Sequence, residues 1–124
     1  MTRNTMAIGA LAVLAVSAIA TSANAHPKLI SASPAAEVSS KVAPTEIKLN
    51  FSEGVIARFS GIELKDEAGK TIATGVPATD PKDRTRLVVP LPVPLVAGHY
   101  KVTWHAVSED THRVKGEYSF EVAR

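Results

Sequence analysis

The 124-residue chain contains no cysteine, and both of its methionines, Met1 and Met6, fall within the first six residues. Without thiols there can be no disulfide and no thiolate metal site. The fold must hold on its core, and any metal must be met by nitrogen and oxygen. Neither sign of charge dominates: 14 lysines and arginines stand against 12 aspartates and glutamates. That balance lacks the basic face that nucleic acid or an anionic membrane attracts, so neither is expected as a partner. Helical period is also missing beyond residue 25, as are internal repeats, linkers and low-complexity stretches.

What is present begins with a leader. Residues 1–6 carry one positive charge, Arg3. Residues 7–20 are apolar apart from Gly9 and Ser17, and Ala23-Asn24-Ala25 is a small-x-small cleavage pattern. The apolar run is shorter than the roughly 20 residues a spanning helix needs. Residues 1–25 are therefore expected to be a cleaved signal peptide, and the mature domain is expected to span 26–124 in the periplasm. Processing would leave 99 of the 124 residues, near the size at which one core folds alone.

The mature chain alternates with a period of two, the mark of half-buried strands. Thr45–Phe51 places Ile47, Leu49 and Phe51 on one face, and Gly61–Lys65 does the same with Ile62 and Leu64. Asp66–Lys70 reads as a hairpin turn before Thr71–Thr74, and Arg86–Leu91 is a further candidate strand. Gly98–Val107 aligns Tyr100, Val102, Trp104 and Ala106, and Lys115–Val122 aligns Tyr118, Phe120 and Val122. About seven short strands in this length predict an all-β fold, a single antiparallel Greek-key β-sandwich. Pro90, Pro92 and Pro94 share one parity. If extended, that segment is expected at a sheet edge, because its amide donors are missing along one side. Thr79–Arg86 is expected to be the exposed loop.

Four histidines remain as candidates for chemistry: His26, His99, His105 and His112. Cleavage after Ala25 makes His26 the first residue, where its free α-amine and imidazole Nδ1 can close a six-membered chelate on one ion. Copper(II) favours such a tetragonal nitrogen and oxygen set. Pro27 has no amide N–H to add as a ligand, so further donors must come from elsewhere in the fold. The bland alternative is that His26 merely marks where the leader ends. Asp110-Thr111-His112 is the second element. If it is extended, a carboxylate and an imidazole project to one face; on spacing alone it is equally a surface turn. Glu53 could orient a ligand histidine or be solvated. His99 follows a turn glycine, and His105 has the opposite parity to Trp104, so both are expected to face water. Trp104 is expected in the core.

Taken together, His26-Pro27-Lys28-Leu29, Ser33-Pro34, Leu49-Asn50-Phe51-Ser52-Glu53, Trp104–His112 and the following Gly116 resemble the copper resistance protein CopC family over essentially all of residues 26–124. The resemblance implies a periplasmic sandwich of cupredoxin-like or immunoglobulin-like shape. It also implies one copper(II) ion per chain, held by the amine and imidazole of His26 with Asp110 and His112, and Glu53 nearby. Some members add a methionine-rich loop that binds copper(I). The matching region here, roughly residues 66–86, has neither methionine nor histidine, so a copper(I) site is not expected.

The expectation is a monomeric, non-enzymatic copper-homeostasis protein. It would sequester copper or pass it to a CopD-type inner-membrane importer, the partner the family implies. Two alternatives remain. One is a terminal-histidine oxidative copper enzyme, against which Asp110 would fill the position oxygen needs. The other is a metal-free sandwich that serves as an interaction module.

Overall fold

The computed structural model describes residues 26–124; the expected leader lies outside the described residues. Nine strands follow in order: β1 (Leu29–Ser33), β2 (Ser39–Ser40), β3 (Glu46–Phe51), β4 (Gly61–Asp66), β5 (Thr71–Ile72), β6 (Ala78–Asp80), β7 (Asp83–Pro90), β8 (Gly98–Val107) and β9 (Arg113–Val122). One turn of 3-10 helix, Ala57–Phe59, precedes β4. Seven strands exceed two residues, in line with the alternation count. No described helix is long and apolar enough to cross a membrane.

The strands form two sheets, β1-β3-β7-β6 and β2-β9-β8-β4-β5. Every pairing is antiparallel except the two-residue contact of β2 with β9. The chain changes sheet repeatedly, so four of the seven pairings (β1-β3, β2-β9, β3-β7 and β4-β8) join strands that are not consecutive. The period of two explains why the sheets pack. Ile47, Leu49 and Phe51 of β3 and Leu87 and Val89 of β7 face Leu64 of β4, Tyr100, Val102, Trp104 and Ala106 of β8, and Phe120 and Val122 of β9 in one buried cluster. Each large aliphatic or aromatic side chain buried this way stabilises the fold by about 1.5–3 kcal/mol, and with no disulfide these terms must outweigh chain entropy unaided. Phe51 and Trp104 meet across the sheets edge to face, with ring centroids 5.4 Å apart.

Several local expectations are met. The Asp66–Lys70 turn is a hairpin: the Asp66 carboxylate accepts from the N–H groups of Ala68 and Lys70, and Gly69 supplies a φ of 80° that a side chain would resist. Trp104 is buried, and His99 and His105 are exposed.

Two expectations are corrected. Thr79–Arg86 is not a loop: Thr79 and Asp80 lie in β6, Asp83–Arg86 lie in β7, and only Pro81-Lys82 turn between them. Asp80 and Asp83 cap that turn by accepting N–H bonds from Lys82 and Thr85, local bonds that let a polar stretch run as strand. The prolines do not mark an edge. Pro90 is the last residue of β7, an interior strand, and Pro92 and Pro94 lie beyond it. A strand's final residue can forgo its donor, and the Pro90 carbonyl still accepts from Gly75 N–H at 2.7 Å.

Gly116 lies directly across from Trp104 on the neighbouring strand. The indole lies over it so closely that a Cβ there would fall 2.5 Å from Trp104 Cζ2. The ring also packs edge to face on Phe51, which limits its room to shift. Gly116→Ala is expected to cost about 1–3 kcal/mol of unfolding free energy by overpacking, read by urea denaturation, with altered emission from Trp104, the sole tryptophan. A wild-type midpoint would contradict this packing.

Candidate metal centre

The amino-terminal arm is fixed before β1 starts. Pro27 is fully buried although His26 beside it is exposed. Lys28 N–H donates to Ser52 Oγ at 2.8 Å, and Ser52 N–H donates to the Lys28 carbonyl at 2.8 Å. The arm is thus clamped to the segment leaving β3. That segment in turn joins the other sheet: Val55 bridges Ser108, Ile56 N–H donates to the Val107 carbonyl, and Glu109 N–H donates to the Gly54 carbonyl. The Glu109 carboxylate lies over Gly54, where a Cβ would fall 2.8 Å from its Cδ. It pairs with Arg84 at 2.8 Å.

Between β8 and β9, residues 108–112 form a tight turn around a buried serine. Ser108 is wholly inaccessible. Its N–H donates to the His112 carbonyl at 2.9 Å, its Oγ accepts from His112 N–H at 3.1 Å, and its hydroxyl donates to the Asp110 carboxylate. Thr111 sits at a φ of 72°. Asp110 and His112 therefore share a side because the chain turns, not because it is extended. The hydroxyl of Ser108, with His112 adding to it, holds the Asp110 carboxyl below the usual carboxylate range.

Two segments distant in sequence meet here. The His26 and His112 rings stand edge to face, centroids 4.9 Å apart and planes at 85°. His112 Nδ1 lies 3.2 Å from Asp110 Oδ1. That contact is not aligned as a hydrogen bond, and Nδ1 is buried without a hydrogen-bond partner. A buried imidazole nitrogen without a hydrogen-bond partner calls for an explanation, and a proton or a cation held with the adjacent carboxylate would each supply one. Even so, among the described residues no three histidine, aspartate or glutamate side chains converge as a ready-made metal cluster. His26, Asp110 and His112 are thus pairwise neighbours without forming a ligating cluster, and while Ala25 is attached the nitrogen of residue 26 is a peptide nitrogen that cannot serve as an amine donor. Glu53 is half-buried on the segment after the Ser52 clamp, and its side chain makes no hydrogen bond or ion pair among the described residues. Donors limited to imidazole, carboxylate and amine suit copper(II) better than copper(I).

Sequence reasoning missed Ser108, although the parity that buries Trp104 and Ala106 runs on to it. It also missed Pro27 as an anchor, having weighed only its absent N–H.

A family model described as the CopC domain matches residues 29–123. Copper resistance protein C of Pseudomonas syringae pv. tomato is 41% identical over 105 residues, which cover 81% of this chain and 82% of that protein. Among solved structures, PcoC of Escherichia coli, described as a methionine-rich copper resistance protein, is 39% identical with a TM-score of 0.70, covering 79% of this chain and 99% of that one. More distantly, the copper transport protein CutJ of Bacillus subtilis strain 168 is 27% identical over 100 residues, 81% of this chain and 18% of CutJ.

Ser108→Ala removes a buried hydroxyl that serves two partners, and is expected to cost about 1–3 kcal/mol of stability. The Asp110 carboxyl, followed by carbon-13 NMR, should titrate nearer the ordinary aspartate value of about 3.9. The sign follows from a depressed folded-state value. The wild-type bond stabilises the fold above the ordinary aspartate range, and that gain is lost as pH falls through the depressed value. The variant should lose less stability on acidification. An unmoved Asp110 titration would contradict the assignment.

Proposed function

This chain belongs to the CopC domain family, and from that premise we propose that, once processed, it is a periplasmic, non-enzymatic carrier of one copper(II) ion. The ion is cargo. Its donors are the α-amine and imidazole of His26, the Asp110 carboxylate and the His112 imidazole, with Glu53 close enough in sequence to the Ser52 clamp to orient a ligand. The observation that carries this reading is the edge-to-face contact of His26 and His112 at 4.9 Å, with Asp110 alongside. Residues 86 positions apart in sequence have no reason to meet at an exposed corner unless the fold holds them there.

The rest follows from donor chemistry. Removal of the leader at Ala25 creates the amine, so export and site assembly are one event. The amine and both imidazoles must shed protons to bind, so affinity falls as pH falls. Pro27 blocks recruitment of the second backbone nitrogen, which leaves the fourth position to Asp110. With a carboxylate there, and no methionine in the mature chain, the site favours retaining copper(II) over cycling it through copper(I). That argues for binding rather than oxidative turnover. PcoC is described as methionine-rich; residues 26–124 of this chain contain no methionine with which to build a matching thioether site. The role is sequestration, or delivery to a CopD-type inner-membrane importer. Delivery is supported by a segment similar to this chain being built into the copper transport protein CutJ.

Titration of the processed protein with copper(II), followed by quenching of Trp104 and by calorimetry, is expected to give one ion per chain. Losing groups that merely orient ligands costs roughly 10–100-fold in metal affinity, so His112→Ala, or a start extended by one methionine, should cost at least about 100-fold. A stoichiometry well below one, or unchanged affinity in either variant, would overturn the reading.

A further inference from the structure

Beside the candidate centre, the outer face of β8 and β9 carries a groove that the copper reading does not use. It encloses ≈ 520 Å³ between Phe59, His105, Val107, Arg113, Val114 and Lys115. Strand register sets its pattern: His105 lies opposite Lys115, and Val107 lies opposite Arg113. Phe59, on the 3-10 turn, flanks the groove and leaves 50% of its surface in water. The Arg58 guanidinium carbon stands 4.7 Å from the Phe59 ring centroid, a cation–π contact that steadies the aromatic wall.

Charge on this groove is one-sided. Among the described residues Arg58, His105, Arg113 and Lys115 have no carboxylate within 4.0 Å. Glu117, two residues along β9 on the same face, is occupied by Lys101 at 3.0 Å. An apolar floor with a wholly basic rim complements an anionic ligand that bears an apolar group. The groove abuts the turn of the candidate centre along the chain: Val107 and Arg113, the last pair of the β8–β9 ladder, lead directly into Ser108 and His112. We propose that this groove docks an acidic peptide segment carrying an aromatic or aliphatic side chain, presented by the protein that exchanges copper with this chain. Its apolar side chain packs on Phe59 and Val107 while its carboxylates meet Arg113 and Lys115, which brings the partner's own donors to His112. A membrane surface fits less well: the chain's net charge is only +2, and the feature is concave, whereas membrane-binding elements present a protruding apolar face among many cations. The proposal rests on the copper reading for its partner, and the groove can be tested apart from it.

The probe is an acetylated, amidated pentapeptide, Asp-Glu-Phe-Glu-Asp, added to nitrogen-15-labelled processed protein. Controls are its uncharged counterpart Asn-Gln-Phe-Gln-Asn and phosphatidylglycerol vesicles. Saturable shifts are expected at the amides of residues 58–60, 105–107 and 113–115. Affinity should fall roughly tenfold with the uncharged peptide and in Phe59→Ala/Lys115→Glu. That variant should keep the copper stoichiometry of the parent, so a failure of copper binding registers separately from a failure of docking. No saturation at about millimolar peptide, equal binding of the uncharged peptide, shifts centred on another face, or vesicles perturbing the same amides in place of the peptide would each overturn the proposal.

Discussion

The structure depends first on the burial of Pro27 and the paired hydrogen bonds between Lys28 and Ser52. The stretch leading into a domain's first strand is ordinarily among its least ordered parts. Here one buried ring and two 2.8 Å bonds tie it to the segment that leaves β3, and that segment bonds to the opposite sheet through Val55 and Ile56. His26 is therefore a surface side chain on an anchored backbone. A metal site that includes His26 needs this, because ordering a free arm at the moment of binding would consume part of the binding free energy.

The opposite wall of the site is built on the same economy. Ser108 is a polar residue at a core-facing position, and its burial is tolerated because each of its groups is bonded. Those bonds hold Asp110 and His112 in a turn whose middle residue takes an unfavourable backbone angle. Behind them, Trp104 lies flat on Gly116 and against Phe51, so β8 and β9 reach the turn in fixed register. Core, turn and arm form a continuous line of contacts from the sandwich interior to the two imidazole rings. With no cysteine in the chain, packing and hydrogen bonds alone keep that line in place.

Much of this architecture could be read from the residues. The period of two located β3, β4, β8 and β9 to within two residues, because each has one buried face and one wet face. What escaped were features that sequence spacing does not encode. β1 lies at a sheet edge and buries little, so Leu29–Ser33 shows no alternation. Thr79–Arg86 looked like a loop because its charged residues satisfy their own backbone locally. The prolines were read for missing donors, whereas the decisive fact was that only Pro90 belongs to a strand. Asp110 and His112 were paired by assuming an extended chain; they share a side through a turn centred on a serine that spacing alone did not single out. That His26 and His112 come within contact is a long-range fact, fixed by which strands lie beside which.

The central claim is that a free nitrogen at residue 26 completes a centre whose other donors lie at the far end of the chain. Electron paramagnetic resonance of the copper(II)-loaded, processed protein tests it most directly, because the hyperfine pattern reports which atoms surround the metal. The expected spectrum is tetragonal with three nitrogens and one oxygen, and it should change when the α-amine is acetylated. A spectrum indifferent to that acetylation, or one with coupling from a single imidazole, would contradict the account.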